Sequence, residues 1–256
     1  MKQRRTFRKE LSVLSSATRD LLFPPRCVGC DDLLPPFVRR TTVFCPLCRA
    51  AWETAVTDAA HDAACDARRG LVYLVHYRPG HGDGIPEKLI YHVKHKGDPR
   101  TFTFVAERLA PRLLEAASTL PTRKAEGEDT PLLFTYPPRR RSGVNRDGFD
   151  QAERLAVAMA KACGGDFAAL IKRTHRRTAE QKTLNAEERA TNATSSYTLP
   201  RGVAATVRDR TVVVCDDLCT TGATLNRCAE LLVAAGARSV ILCTIARTGG
   251  KDKPNT

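Results

Sequence analysis

Residues 211–246 join an apolar strand, a helix and a second apolar strand through short turns. The sequence predicts strands over 211–215 and 239–246, with a helix over 224–235 that Gly236 ends. Two strands connected through a helix run parallel, because the helix carries the chain back to the starting edge of the sheet. We therefore expect an α/β fold built on a parallel sheet flanked by helices.

Two carboxylates and a run of small polar residues follow the first of these strands, in the stretch VVVCDDLCTTGATL (212–225). Ligands bind parallel sheets where the strands reach their carboxyl ends, and Asp216 and Asp217 occupy that edge. The turn into the helix contains Thr220, Thr221, Gly222 and Thr224. Its amides, its hydroxyls and the positive end of the helix dipole suit a phosphate. The carboxylates suit ribose hydroxyls or Mg²⁺, so a ribose 5-phosphate fits the whole stretch.

Two familiar nucleotide-binding motifs fit this stretch less well. A Walker A loop ends in Gly-Lys-Ser/Thr, which is absent here, and a dinucleotide fingerprint needs three spaced glycines where this turn has Gly222 alone. Helix capping accounts for one of the polar residues but not for the set. The stretch is thus more typical of a sugar-phosphate site than of a nucleoside triphosphatase or a dinucleotide-binding domain.

Near the beginning of the chain, two C-x-x-C pairs, CVGC and CPLC, are separated by fourteen residues. The four cysteines are Cys27, Cys30, Cys45 and Cys48. Two thiolates at this spacing bind one tetrahedral ion, and a second pair completes the shell, as in zinc ribbons. A redox role for either pair is the weaker alternative, because two neighbouring pairs make a closed four-sulfur site. The pattern predicts a structural Zn²⁺ with no open position for substrate.

The chain is strongly basic, with 41 Lys and Arg against 28 Asp and Glu and a net charge of +13. This excess favours polyanionic partners, either nucleic acid or phosphorylated metabolites. No window approaches the roughly 18–20 apolar residues of a membrane span, and the basic N-terminal segment lacks a signal-peptide pattern. We expect a cytoplasmic protein whose ten cysteines stay reduced.

The middle of the chain carries further helix and strand patterns. The sequence predicts strands over 71–77 and 131–138 and helical segments over 86–98 and 103–118. A clearer helix follows Asp150, which forms a capping box with Glu153, and Gly164 and Gly165 end it.

Taken together, these features resemble the ComF/GntX family, which is named for bacterial competence. The stretch 212–225 is similar to the phosphoribosyl-pyrophosphate (PRPP) binding motif of type I phosphoribosyltransferases. The similarity covers about residues 20–248, with the four-cysteine pattern, and includes LIYHVKHKGD (89–98), YPPRRRSGVNRDGFDQAERLA (136–156) and RTHRRTAEQKTLNAEERATN (173–192).

The resemblance implies a type I phosphoribosyltransferase-like parallel sheet flanked by helices, with a small N-terminal zinc element. It implies a basic lead-in over 1–25, a zinc-ribbon-like element over 26–50 and a phosphoribosyltransferase-like domain over 51–250. Within that domain, a variable hood over about 50–130 would recognise the acceptor.

The resemblance also implies site residues for PRPP and its accompanying Mg²⁺. The PRPP-binding residues would be Asp216, Asp217, Thr220, Thr221, Gly222, Ala223, Thr224, Pro138 and Arg139. Asp216 and Asp217 would hold the ribose hydroxyls, residues 220–224 the 5-phosphate, and the turn at 138–139 the pyrophosphate. The catalytic residues would be Asp216, Asp217, Arg176 and Arg177, the arginines lying on a loop over 176–192 that closes the site. Arg173, Arg176, Arg177 and Lys182 supply charge for a departing pyrophosphate; an ordinary exposed basic loop is the alternative.

Two acids depart from the family pattern. Asp147 stands where the family has arginine, with Arg146 one place earlier, and Asp150 stands where the family has asparagine. Carboxylates at a pyrophosphate site would repel the ligand unless magnesium intervenes, so the resemblance leaves turnover open.

At the level of function, the resemblance implies a PRPP-binding protein of DNA uptake, natural competence or DNA utilisation, with phosphoribosyl transfer as an open addition. Its partners would be single-stranded DNA or the DNA-uptake helicase machinery. The alternative is a metabolic phosphoribosyltransferase acting on a small nitrogenous acceptor.

Overall fold

The computed structural model of the protein describes residues 24–35, 42–80, 83–120, 130–174 and 197–248. Nearly all of the lead-in predicted over 1–25 lies outside these ranges. None of the described helices has the length and apolar character needed to cross a lipid bilayer.

Helices surround a sheet in the described part of the chain. The helices are α1 (Pro46–Asp58), α2 (Ala60–Ala67), α3 (Ile85–His95), α4 (Pro99–Ser118), α5 (Arg141–Asp147), α6 (Gln151–Cys163), α7 (Val203–Val207) and α8 (Ala223–Ala234). The strands are β1 (Leu71–Val72), β2 (Val75–Tyr77), β3 (Leu133–Thr135), β4 (Asp166–Phe167), β5 (Lys172–Arg173), β6 (Tyr197–Thr198), β7 (Thr211–Cys219) and β8 (Ser239–Thr248).

The main sheet is parallel throughout its described strands. Its order is β1-β8-β7-β3-β4, and β2 also pairs with β8. β7 and β8 are the two strands joined through α8, so the predicted strand–helix–strand unit is confirmed. A separate antiparallel pair, β5 with β6, lies off this sheet.

β7 extends four residues beyond the predicted end at Cys215. The low strand propensity of Asp216 and Asp217 indicated an end there, but β8 continues alongside and supplies pairing partners. Asp216 pairs with Thr244, and the pairing continues to Cys219. The two carboxylates therefore lie within a paired strand, close to its carboxyl end, and this pairing fixes their backbone more firmly than a loop would.

Successive residues of β7 contact opposite faces of the sheet, as the two-residue period of a strand requires. Val213 and Cys215 pack in the core that contains residues of α3, α4 and α6. Val212 and Val214 pack in a second core with residues of α8 and α7. Helices thus cover both faces, and all four side chains are fully buried.

The strand predicted over 71–77 is interrupted at Tyr73 and Leu74. The carbonyl of Tyr73 accepts a hydrogen bond of 2.8 Å from Arg112 Nη1 of α4, which the strand pattern could not reveal. The amide of Leu74 still donates to the carbonyl of Ile245 at 3.1 Å, so the register on β8 is kept.

Helix α6 begins as predicted, with Asp150 at its N-cap. The Asp150 carboxylate accepts a hydrogen bond from the amide of Ala152, and Gly164 ends the helix in the left-handed conformation. Among the described residues, Glu153 makes no hydrogen bond to the amide of Asp150, which the predicted capping box requires; burial, and then the nearby charge of Glu153, raises the pKa of Tyr136 to about 12.

The cysteine segment joins the main core through aromatic contacts. Phe44 and Trp52 lie 5.7 Å apart by ring centroid, and each lies against Phe104 of α4, at 5.3 and 5.7 Å. Trp52 is completely buried and follows directly from the second cysteine pair along α1. The geometry of the cysteines is therefore coupled to the packing of the main domain.

Candidate functional site

A cavity of about 640 Å³ opens at the carboxyl end of β7, beside the beginning of α8. It is lined by Pro137, Arg139, Arg140, Ser142, Gly143, Arg146, Gln151, Arg173, Tyr197, Asp216, Asp217 and Thr224. Its walls differ in charge: two carboxylates come from β7, and the arginines come from the segments at 137–146 and 173. This is the edge at which parallel sheets bind ligands.

The acidic wall is formed by consecutive residues of β7. Asp217 is buried, and its amide donates a 2.8 Å hydrogen bond to Asp216 Oδ1. Burial, and then the nearby charge of Asp217, raises the pKa of Asp216 well above its usual range. A cation or a set of hydroxyl donors would relieve this crowding of carboxylates.

Lys94 of α3 contacts this acidic wall. Its Nζ lies 3.4 Å from Asp217 Oδ2, an ion-pair contact rather than a hydrogen bond. No sequence pattern singled out Lys94, which lies in the stretch 89–98 that is similar to the ComF/GntX family.

The turn before α8 connects β7 to the helix beside the cavity. Gly222 has a φ of +76°, which favours glycine, and a Cβ there would lie 3.4 Å from Asn226 Nδ2. The first amides of α8 have no carbonyl partner within the helix, as in any α-helix; the amide of Ala223 donates to Thr221 Oγ1 at 3.4 Å, and the amides that follow it are available to an anion. Of the predicted cradle residues, Thr224 lines the cavity, whereas residues 220–223 precede it in the same turn without lining it.

The opposite wall is built from arginines. Arg173 Nη1 donates to the hydroxyl of Tyr197 at 2.8 Å and lies 3.5 Å from the carbonyl of Pro138. Burial is the main cause that raises the pKa of Tyr197, so this hydroxyl stays neutral. Arg139 and Arg173, both predicted from the sequence to meet the pyrophosphate, are thus brought together, whereas Pro138 contributes its carbonyl to Arg173 and does not line the cavity.

Three buried polar side-chain atoms in this region have no hydrogen-bond partner among the described residues. They are Asp217 Oδ2, Arg139 Nη1 and Gln151 Oε1. Each belongs to a residue that lines the cavity. Because buried polar groups in folded proteins are nearly always hydrogen-bonded, a cluster of this kind indicates a place for a polar ligand.

The two departing acids lie beside the cavity without lining it. Asp147 forms an ion pair of 3.0 Å with Arg139 Nη2 and one of 3.1 Å with Arg146 Nε. Hydrogen bonding from Arg146, and more weakly from Arg139, lowers the pKa of Asp147 far below its usual range. Asp150 is occupied as the cap of α6. Asp147 thus orients two arginines of the basic wall, Asp150 caps a helix, and neither acid lines the cavity.

Some predicted site residues lie outside the described part of the chain, and some residues that line the cavity were not predicted. Arg176 and Arg177, with the predicted loop over 176–192, lie outside the described residues. Arg140, Gln151 and Tyr197 were not singled out by the sequence, although the basic run at 139–141 was a visible signal for Arg140, and Arg146 was named only as the arginine one place before Asp147.

The four cysteines form a separate candidate metal centre. The sulfur atoms of Cys27, Cys30, Cys45 and Cys48 lie within 4.8 Å of one another. Cys30 Sγ and Cys45 Sγ are 3.7 Å apart. Zn–S bonds of about 2.3 Å in a tetrahedron place sulfurs roughly 3.8 Å apart, so the cluster fits Zn²⁺.

The surroundings of the cysteines also suit a metal. The amides of Gly29 and Cys45 donate to Cys27 Sγ at 3.4 and 3.2 Å. Burial would raise the pKa of Cys27, but backbone amides outweigh it and lower the pKa to about 7. A Cβ on Gly29 would lie 2.6 Å from Cys48 Sγ, so this position requires glycine.

Comparison with known proteins supports the fold class predicted from the sequence. Residues 143–256 match the family model of the phosphoribosyl transferase domain, a span that includes β7, α8 and β8. This match and the parallel sheet flanked by helices confirm the predicted fold class. No curated protein matches the chain in sequence.

Solved structures similar to the chain include two phosphoribosyltransferases and a PRPP amidotransferase. Adenine phosphoribosyltransferase from Thermoanaerobacter pseudethanolicus is 16% identical over 59% of this chain and 83% of that chain, with a TM-score of 0.34. Purine phosphoribosyltransferase from Pyrococcus horikoshii is 17% identical over 56% and 80%, with a TM-score of 0.32. Glutamine PRPP amidotransferase from B. subtilis is 17% identical over 56% of this chain, with a TM-score of 0.34, and this chain spans 25% of its length.

Proposed function

We propose that the cavity binds PRPP together with Mg²⁺ and that the protein transfers the phosphoribosyl group to a nitrogenous acceptor. The observation that carries this proposal is the set of buried polar atoms without a hydrogen bond in residues from two walls of opposite charge: Asp217 Oδ2 on one, Arg139 Nη1 and Gln151 Oε1 on the other. PRPP has hydroxyls at its centre and phosphates at both ends, so it can engage both walls at once.

The ligand groups fit as follows. The ribose hydroxyls donate to the carboxylates of Asp216 and Asp217, and the 5-phosphate accepts from the amides and hydroxyls of residues 220–224. The pyrophosphate lies against Arg139 and Arg173. Carboxylate oxygens are also preferred ligands of Mg²⁺, which supplies charge neutralisation for the pyrophosphate when bound.

In the reaction, the bond between C1 of the ribose and the pyrophosphate oxygen breaks, and a bond from C1 to the acceptor nitrogen forms. Positive charge develops on the sugar ring and negative charge on the departing pyrophosphate. Arg139 and Arg173 stabilise the leaving group, and the carboxylates of β7 lie on the side of the cationic ring. The acceptor nitrogen gives up its proton to the solvent as the product forms.

Calorimetric titration with PRPP and Mg²⁺ tests the binding step. The variant Asp216→Asn/Asp217→Asn should bind about ten- to a hundredfold more weakly, because hydrogen bonds to a charged group contribute about 1.5–3 kcal/mol. Asp58→Asn, an exposed aspartate at the end of α1, is the matched control and should bind as the wild type does. Equal affinity of the wild type and the double variant would refute this use of the cavity.

Turnover needs its own assay. Pyrophosphate release should require PRPP, Mg²⁺ and an acceptor together, and should fall in the Arg173→Ala variant. A panel of purines, pyrimidines and small amines would identify the acceptor of the metabolic alternative. Binding of PRPP without release for any acceptor would restrict the protein to a PRPP-dependent sensor.

A second candidate is the ComF-like role in DNA uptake, with single-stranded DNA or a helicase of the uptake machinery as partner and the cytoplasm as location. The net charge of +13 supports it, because phosphate neutralisation dominates affinity for nucleic acid. Fluorescence anisotropy with labelled single-stranded DNA should show affinity that falls steeply as salt rises and that changes with PRPP. Affinity indifferent to salt would remove the electrostatic basis of this role.

A further inference from the structure

The last turn of α3 brings one side chain to the acidic wall. Lys94 Nζ lies 3.4 Å from Asp217 Oδ2, and the two side chains are 32% and 7% exposed. Among the described residues, Lys94 is the cation within ion-pair distance of either acid of β7. Asp217 Oδ2 has no hydrogen-bond donor among those residues, so the ion pair is its described polar contact.

A carboxylate in this position needs a compensating charge. Asp217 as a whole residue is 5% exposed, and it adjoins a second carboxyl group, that of Asp216. Removing two neighbouring carboxylates from water is costly unless a cation lies nearby, and losing the partner of a buried charge is more harmful than losing a surface ion pair. Lys94 meets this requirement before any ligand enters.

The end of α3 is held in place by its neighbours. His95 Nδ1 lies 3.6 Å from Asp147 Oδ1, and the carbonyl of Gly97 accepts a hydrogen bond from Arg154 Nη1 of α6. A Cβ at Gly97, where φ is +61°, would lie 2.7 Å from a ring atom of Phe149. The helix end is therefore docked closely, so Lys94 is delivered to Asp217 by a fixed backbone.

We propose that Lys94 is a positioning residue for PRPP binding, acting through Asp217: it neutralises this carboxylate and holds it at the sugar side of the cavity. This inference rests on the proposed function for its consequence in binding. Asp217 can still accept hydrogen bonds from the ribose hydroxyls, because its contact with Lys94 is an ion pair and not a hydrogen bond.

A double-mutant cycle tests whether Lys94 acts through Asp217. In calorimetric titrations with Mg²⁺ and PRPP, Lys94→Met should weaken binding about tenfold in the wild-type background and have no further effect in the Asp217→Asn background. Lys94→Arg, which keeps the charge, should restore most of the affinity. Lys96→Met, an exposed lysine just beyond the same helix, is the control and should leave affinity unchanged.

A ligand-free measurement separates the two proposals. In urea unfolding without PRPP, Lys94→Met should lower the midpoint, whereas Lys94→Met/Asp217→Asn should regain the midpoint of Asp217→Asn alone. Should Lys94→Met fail to fold, recovery of folding in the double variant gives the same answer. Equal effects of Lys94→Met in both backgrounds, in binding or in stability, would overturn the inference. Absence of PRPP binding by the wild type, with the stability coupling present, would overturn the proposed function and confine Lys94 to holding Asp217.

Discussion

Asp150 Oδ2 accepts a 2.8 Å hydrogen bond from the backbone amide of Arg139. The other oxygen of the same carboxylate caps α6 through the amide of Ala152 at 3.0 Å. One buried side chain thus fixes both the beginning of a helix and the backbone that presents an arginine to the cavity. Asp150, which the sequence suggested would repel a pyrophosphate, therefore has a structural role.

This relationship predicts the effect of removing the carboxylate. Asp150→Ala should lower the free energy of unfolding by about 2 kcal/mol, because the lost cap costs about 1 kcal/mol and the unsatisfied Arg139 amide about as much. Urea unfolding followed by circular dichroism measures this loss. Asp150→Asn keeps an acceptor oxygen and should lose less than half as much. A change below about 0.5 kcal/mol for Asp150→Ala would show that the two hydrogen bonds are replaced by water.

Asp147 predicts a dependence on pH. Its pKa is lowered by Arg146 and Arg139, so its contribution to stability is complete above the unfolded value near 4 and is lost as the pH falls from there through the lower folded value. The difference in free energy of unfolding between the wild type and Asp147→Asn should therefore be smaller at pH 3 than at pH 7. Urea titrations at both values check this, with Asp58→Asn as control. A difference that grows toward acid would contradict the assignment.

Features that depend on residues close together in the chain could be predicted from the sequence. The pattern around 211–246 predicted the parallel unit, and the adjacency of Asp216, Asp217 and the threonine turn placed their backbone at one edge of the sheet. The two C-x-x-C pairs likewise predicted a cluster that the structure assembles. In each case, a short-range rule of geometry determines the outcome.

Contacts between distant segments could not be predicted in this way. Lys94 reaches Asp217 because α3 packs against the end of β7, and no local pattern encodes that approach. The extension of β7 to Cys219 depends on the partner β8, which overrides the weak strand propensity of two aspartates. The same holds for Asp147, whose role changes from repulsion to orientation once Arg139 is beside it.

The contact between Arg173 and Tyr197 predicts graded effects on anion binding. Arg173→Ala removes a charge from the cavity wall and should weaken pyrophosphate binding about tenfold or more, whereas Tyr197→Phe removes one 2.8 Å hydrogen bond to that arginine and should weaken it only a few-fold. Competition of pyrophosphate with PRPP measures both. Arg238→Ala, exposed just before β8 begins, should have no effect. A larger loss in Tyr197→Phe than in Arg173→Ala would show that the tyrosine contacts the ligand itself.

The position of Trp52 predicts a direct signal for the metal. This residue is the single tryptophan of the chain, is fully buried, and lies one helical turn after Cys48 against Phe44 and Phe104. Four thiolates crowded together repel one another without a cation, so chelation of Zn²⁺ should loosen this packing, shift the Trp52 fluorescence to the red and lower the free energy of unfolding by several kcal/mol. The purified protein should contain one zinc per chain, and Cys48→Ser should lose it. Cys65→Ser, a half-buried cysteine outside the cluster, should keep full zinc content and the wild-type spectrum. A metal-free protein with unchanged fluorescence and stability would refute a structural role for the ion.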